Sequence, residues 1–242
     1  MALYLIGIGL HDAQDLTLKG LAIVKRAHKV YLDTYTSLLQ FSPEELQELS
    51  GKEVIPASRE MLERQRERIL EEARTQDVAL LIAGSPMAAT THFHFLLEGK
   101  KRKILVYVVE NASVFSAVGI TGLFLYKFGM TLSIPRRHEH LDTPYQKFLQ
   151  NRQSGLHTLF LLDTEGNPLS AREGLDYLLS KGLAKDTLVV GCAALGSLHP
   201  EIVVDAAAAL HLKTLPQCFI IPGELHFIEE EALAFWKAYG LR

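Results

Sequence analysis

The chain has 242 residues, of which 48% are hydrophobic and 22% charged, with a formal net charge of −3. Such a composition excludes a disordered chain and lacks the basic excess of a general nucleic-acid binder. No apolar run reaches the roughly 20 residues that span a bilayer, and no basic stretch precedes an apolar one at the N-terminus, so a cytoplasmic protein with no membrane partner is expected.

Leu3 to Ile6 reads as a buried strand, Leu18 to Ala27 as an amphipathic helix and Val30 to Leu32 as the next strand. Ser42-Pro43-Glu44-Glu45 combines an N-cap, a first-turn proline and a capping-box glutamate, and Ser58 opens a long charged helix to about Ala73. Val78 to Ala83 is a strand ending in Gly84-Ser85-Pro86. A helix follows from about Thr91, then a strand over Ile104 to Val109 and a small-residue helix from Ser113. The basic run Gly99-Lys100-Lys101-Arg102-Lys103 reads as a solvated turn between helix and strand.

This rhythm predicts a parallel sheet with helices on both faces. Past Gly129 shorter strands at Thr131 to Ile134, Thr158 to Leu162, Leu188 to Cys192 and Phe219 to Ile221 alternate with helices, one capped by Ser170 and Glu173. The fold class is α/β in two lobes: a parallel-sheet N-terminal lobe over 1–112 and a mixed α/β C-terminal lobe over 113–242. Cys192 and Cys218 fit no zinc or redox spacing and are expected to be free and buried.

Gly7-Ile8-Gly9 after the first strand suggests a dinucleotide loop, which needs a third glycine three residues later. That position is Asp12, and a carboxylate beside a pyrophosphate costs about a few kcal/mol. Asp33, at the end of the second strand, is where a ribose-binding acid would stand. One match and one mismatch argue against a nicotinamide cofactor and leave a tight turn approaching a ligand without phosphates. Two further small-residue turns, Gly84 to His92 and Asn111 to Val114, fall at strand carboxyl ends, where ligands of open α/β sheets collect. Together they suit a flat nucleoside held by backbone groups.

The stretches Leu3 to Leu10, Tyr35-Thr36-Ser37, Ala89-Thr90-Thr91-His92 and Ser116 to Leu123 resemble the diphthine synthases, of the tetrapyrrole-methylase type (class III) of S-adenosylmethionine-dependent methyltransferases. Tyr126 to Gly129, Gly155 to Leu159, Gly196-Ser197-Leu198 and Pro222-Gly223-Glu224-Leu225-His226 extend the likeness along nearly the whole chain. The resemblance implies a two-lobed enzyme, usually a homodimer, with the cofactor S-adenosyl-L-methionine in the cleft between lobes and S-adenosyl-L-homocysteine as product. It implies methylation of the amino group of a modified histidine on translation elongation factor 2, a step of diphthamide biosynthesis. The cofactor contacts it implies are Leu10, Ser85, Ala88, Ser113, Val114, Leu162, Ala194 and His226.

One departure matters: the family's Gly-Asp-Pro is here Gly84-Ser85-Pro86. Losing a charged acceptor costs roughly 1 kcal/mol, so weaker cofactor binding is expected, which Ser85→Asp should restore. Arg136-Arg137-His138-Glu139-His140-Leu141-Asp142 also differs from the family pattern; the arginine pair either faces water or meets an acidic patch.

Methyl transfer from a sulfonium is an in-line displacement, helped mainly by positioning. An acceptor amine of pKa about 8 is already neutral in roughly a tenth of molecules at pH 7. No strong base is needed and no catalytic residue is assigned. His92 either orients the amine or holds its turn; His94 reads as helix surface; His138-Glu139-His140 has a metal-like spacing but no third ligand, so no metal is expected. Two other functions remain open: methylation of a tetrapyrrole or other small substrate, and a cofactor-binding protein with low turnover.

Overall fold

The computed structural model describes residues 1–137 and 140–239. The chain divides into two compact units, Met1–Val114 and a second beginning at Phe115.

The first unit alternates strands and helices: β1 Leu3–Gly7, α1 Leu18–Arg26, β2 Lys29–Asp33, α2 Pro43–Ser50, β3 Val54–Ala57, α3 Arg59–Glu63, α4 Arg66–Thr75, β4 Val78–Ile82, α5 Phe93–Arg102 and β5 Val106–Val109. The strands form one all-parallel sheet in the order β3-β2-β4-β1-β5. Successive side chains point to opposite faces, and both faces are covered. Ile6, Val30, Leu32, Ala79 and Leu81 share a core with Val24 of α1 and Leu46 of α2. Leu3, Leu5, Tyr31, Leu80 and Ile82 share the other with Leu62 of α3, Leu70 of α4 and Phe95 of α5. Two covered faces explain why Val78–Ile82 is apolar throughout.

After the single-turn helix α6, Val114–Ala117, the second unit contains β6 Leu132–Ile134, α7 Thr143–Gln153, β7 Thr158–Leu162, α8 Ala171–Ser180, β8 Leu188–Ala193, β9 Glu201–Ala206, β10 Gln217–Ile221 and α9 Phe227–Tyr239. Its sheet runs β6-β7-β10-β8-β9, with β6 and β7 parallel and the other pairs antiparallel. The expected α/β architecture, with one parallel and one mixed sheet, is therefore present. Cys192 and Cys218 stand directly opposite each other in register across β8 and β10, both buried and unpaired. The facing Cys218 and burial push the Cys192 thiol well above its ordinary range, which leaves it inert.

Local departures have physical causes. The helix predicted from Ser58 to Ala73 breaks between α3 and α4, because no apolar residue between Leu62 and Ile69 holds the middle turn to the sheet. The helix predicted from Thr91 begins at Phe93, and the strand predicted from Ile104 begins at Val106. The basic run is the last turn and C-cap of α5, where cations oppose the helix dipole. Arg102 there is paired with Glu67 and Glu71 instead of being solvated.

Candidate cofactor site

The three small-residue turns of the first unit come together. Gly84 N donates to Gly9 O at 2.6 Å, tying the first turn to the second. A Cβ on Gly7 would lie 2.5 Å from Gly84 O and 2.8 Å from the Asn111 Cβ, so the first turn also abuts the third. Asn111 Nδ2 donates to Gly7 O and to Asp15 O, both at 2.9 Å. Gly9 is doubly required: its φ is +81°, and a Cβ there would lie 2.2 Å from the Asp15 Cβ. Asp15 Oδ2 in turn accepts from Leu10 N and His11 N, fixing the loop from the other side. Asp12, the residue that disqualified a dinucleotide loop, accepts from Gln14 N and caps a short turn. Around Gly84, Leu10 Cδ2 and Ala112 O lie 3.7 Å, and Ser113 Cα 3.9 Å, from where a Cβ would be. Of the expected contacts, Leu10, Ser85 and Ser113 therefore border one spot, and Val114 follows Ser113 directly.

Ser85 is buried, and its hydroxyl donates to Glu110 Oε2. Ala88 N closes the turn by donating to Ser85 O at 3.1 Å, and the next residue, Ala89, has a φ of +54°. A non-glycine residue in this region costs about 1–3 kcal/mol, which the surrounding turn must offset.

Next to this turn in the chain lies His92, half of a buried pair with Asp33. Asp33 Oδ2 is 3.2 Å from His92 Nε2, and His92 Nδ1 is hydrogen-bonded to Thr90 Oγ1. Asp33 also accepts from Thr36 Oγ1 and from the backbone of Tyr35 and Thr36. Burial pushes the Asp33 carboxyl up, but these donors outweigh it and hold the group below the usual range. At 1% exposure Asp33 faces His92, not a ribose. His94 lies exposed on α5.

In the second unit, β7 and β8 are both antiparallel to β10, so their carboxyl ends lie at the same end of the sheet. Leu162 and Ala194 flank the start of β10 there. The Leu162 side chain packs against Gly174 of α8, leaving its backbone as what it can offer a ligand. Ala194 has a φ of +49° and donates its N–H to Pro216 O. His226 follows the opposite end of β10, a strand about 13 Å long at the usual rise. It is exposed, tilted against Phe124 and Phe227 at ring separations of 5.5 and 4.3 Å.

The support beneath His226 is Glu229, fully buried. It accepts from His226 N at 2.8 Å, Phe124 N at 2.8 Å, Lys127 Nζ at 2.5 Å and His157 Nε2 at 2.9 Å. Burial raises the Glu229 pKa, but its donors outweigh that and hold it at about 2. His157 Nδ1 accepts from Gly223 N, which requires the neutral ring, and burial depresses its pKa accordingly.

Of the segment that departs from the family pattern, His138 and Glu139 lie outside the described residues. Arg136 is half-buried, 3.8 Å from Glu173, whereas Arg137 is exposed. Among the described residues no group of three or more His, Cys, Asp or Glu could hold a metal.

Residues 2–210 match the family described as Tetrapyrrole (Corrin/Porphyrin) Methylases. The diphthine synthase of Methanocaldococcus jannaschii is 41% identical, with 96% of this chain and 98% of the relative covered. The chain belongs to the diphthine synthases, within the tetrapyrrole methylases. A relative from Arabidopsis thaliana named "Probable diphthine methyl ester synthase" is 39% identical over 97% of this chain and 98% of its own. A crystal structure of a diphthine synthase superposes with a TM-score of 0.94 at 32% identity, covering 98% of this chain and 96% of that one. Family membership makes the protein an S-adenosylmethionine-dependent methyltransferase of diphthamide biosynthesis. No helix among the described residues is long and apolar enough to cross a membrane.

Sequence reasoning missed Glu110, Glu229 and Asp15. Glu110 carried a positional signal, since it directly follows a strand whose carboxyl end opens into a small-residue turn. Glu229 carried none, because its donors come from three separate stretches of chain, around Phe124, His157 and His226.

Proposed function

We propose that the enzyme transfers a methyl group from S-adenosyl-L-methionine to the amino group of the modified histidine of translation elongation factor 2. The observation that carries this is the junction of the turns at Gly9, Gly84 and Ala112, in a chain that aligns end to end with diphthine synthases. The junction fits a nucleoside: it is built from glycine and small residues, and a Cβ at Gly84 would meet its neighbours only at ordinary contact distance. S-adenosylmethionine supplies, when bound, an electrophilic methyl on a sulfonium sulfur. We assign to it Leu10, Ser85, Ala88, Ser113 and Val114 of the first unit, and Leu162, Ala194 and His226 of the second. The turns orient the reactants and exclude water, and no side chain is assigned as a base. We further propose a cytoplasmic homodimer: two facing cysteines left unpaired suit a reducing compartment, and the exposed Phe227, Ile228 and Phe235 of α9 would gain cover at a subunit interface.

The Arabidopsis relative's name favours a second acceptor, a carboxylate that becomes a methyl ester. Incubating the protein with labelled S-adenosylmethionine and elongation factor 2 bearing the unmethylated intermediate tests both. Label that survives mild alkali is on nitrogen, and label released as methanol is an ester. Transfer to a tetrapyrrole and not to the factor would overturn the proposal, as would cofactor binding without transfer to either.

A further inference from the structure

We propose that Glu110 is the anionic cofactor-binding residue of this chain, taking over from its neighbouring strand the task that Ser85, with no charge, cannot perform. This rests on the reading that the first unit binds S-adenosylmethionine.

Three observations converge on it. The Ser85 hydroxyl is committed as donor to Glu110 Oε2, so the serine that stands where the family has an acid is itself attached to an acid. Glu110 follows β5 immediately, and β5 pairs with β1 in the register Ile6↔Val109. Its backbone therefore sits beside Gly7, at the carboxyl edge of the sheet where the three turns meet. Finally, Glu110 is exposed, and among the described residues it makes no ion pair. An unneutralised carboxylate beside a nucleoside-shaped junction is matched to a cationic ligand with hydroxyl and ammonium donors, and S-adenosylmethionine carries both. Ser85 acts as a positioning residue, aiming the carboxylate through one hydrogen bond.

The expectation that Ser85→Asp restores affinity is thereby reversed. An aspartate at position 85 would place two carboxylates in hydrogen-bond contact, where both cannot stay ionised without cost.

Titration calorimetry decides this, run on the wild type, Glu110→Gln, Ser85→Asp and the double variant Ser85→Asp/Glu110→Gln. The ligands are S-adenosylmethionine, S-adenosylhomocysteine and methylthioadenosine. Glu110→Gln should weaken the first two about tenfold, the usual effect of removing a charge-assisted bond. Weakened methylthioadenosine would place the bond on the ribose, and unchanged methylthioadenosine on the amino-acid tail. Ser85→Asp should also weaken binding, and the double variant, with one carboxylate again, should return to within about threefold of wild type. Unchanged S-adenosylmethionine affinity in Glu110→Gln, or tighter binding in Ser85→Asp alone, overturns the inference. A wild type that binds none of the three ligands overturns the functional reading instead. Glu110 is exposed, so its variant should melt with the wild type.

Discussion

Two glutamates, one in each unit, show how differently a carboxylate can be used. Glu229 is fully buried and accepts four hydrogen bonds, from a lysine, a histidine and two backbone amides. Glu110 is exposed and receives a single serine hydroxyl. The first has its acceptor sites filled by the protein and ties the turn at Phe124, the start of β7 and the first turn of α9 into one piece. The second keeps lone pairs free for something that is not protein. Saturation separates a carboxylate that holds the fold from one left open to a ligand.

The largest test of that contrast is Glu229→Ala. Removing one partner of a buried ion pair costs about 3–5 kcal/mol, and chemical denaturation should show a loss of that order. Intact stability with abolished methyl transfer would mean that the two glutamates have exchanged roles. The same group gives an acid dependence. Its folded pKa of about 2 lies below the ordinary 4.5, so its contribution is complete above pH 4.5 and disappears as pH falls toward 2. His157 acts in the same direction: its depressed pKa means the unfolded chain protonates first, so stability also declines below about pH 6.5. Denaturation midpoints across pH 3–7 should slope less steeply in a Glu229→Gln variant.

A medium effect is expected at His92→Ala, which leaves Asp33 buried without its imidazole partner at a cost of about 1–3 kcal/mol. The turn from Ser85 to His92 should loosen with it, so calorimetry should also find weaker cofactor binding, although His92 is itself buried. The smallest effect concerns Ala89. Its left-handed backbone costs about 1–3 kcal/mol, much of which glycine's extra chain entropy offsets, so Ala89→Gly should stabilise by about 1 kcal/mol in thermal melts.

Much of the fold was legible because the first unit's strands are short apolar runs bounded by glycine turns. Val54–Ala57 was missed because it is four residues long and contains Pro56, and Glu201–Ala206 because its acidic ends blur an edge strand. The helix break after α3 followed from missing apolar anchors, which a capping signal at Ser58 conceals. In the site, the glycine turns and Ser85 were visible as local patterns. Glu110 and Glu229 were not, since their partners stand 25 and up to 105 residues away and only pairing of β5 with β1, or docking of α9, brings them in. Reading Ser85 alone gave a lost charge, whereas the fold shows a carboxylate at the same hydroxyl.

Asn111 gives that arrangement a further consequence. Its amide clasps the carbonyls of Gly7 and Asp15, so the residue before it is indexed to the floor of the junction like a tooth on a gear. Inserting or deleting one amino acid between Val109 and Asn111 would swing Glu110 away, while exchanging its side chain leaves the clasp untouched. The clasp thus fixes where position 110 stands, and the side chain there decides what it offers a ligand.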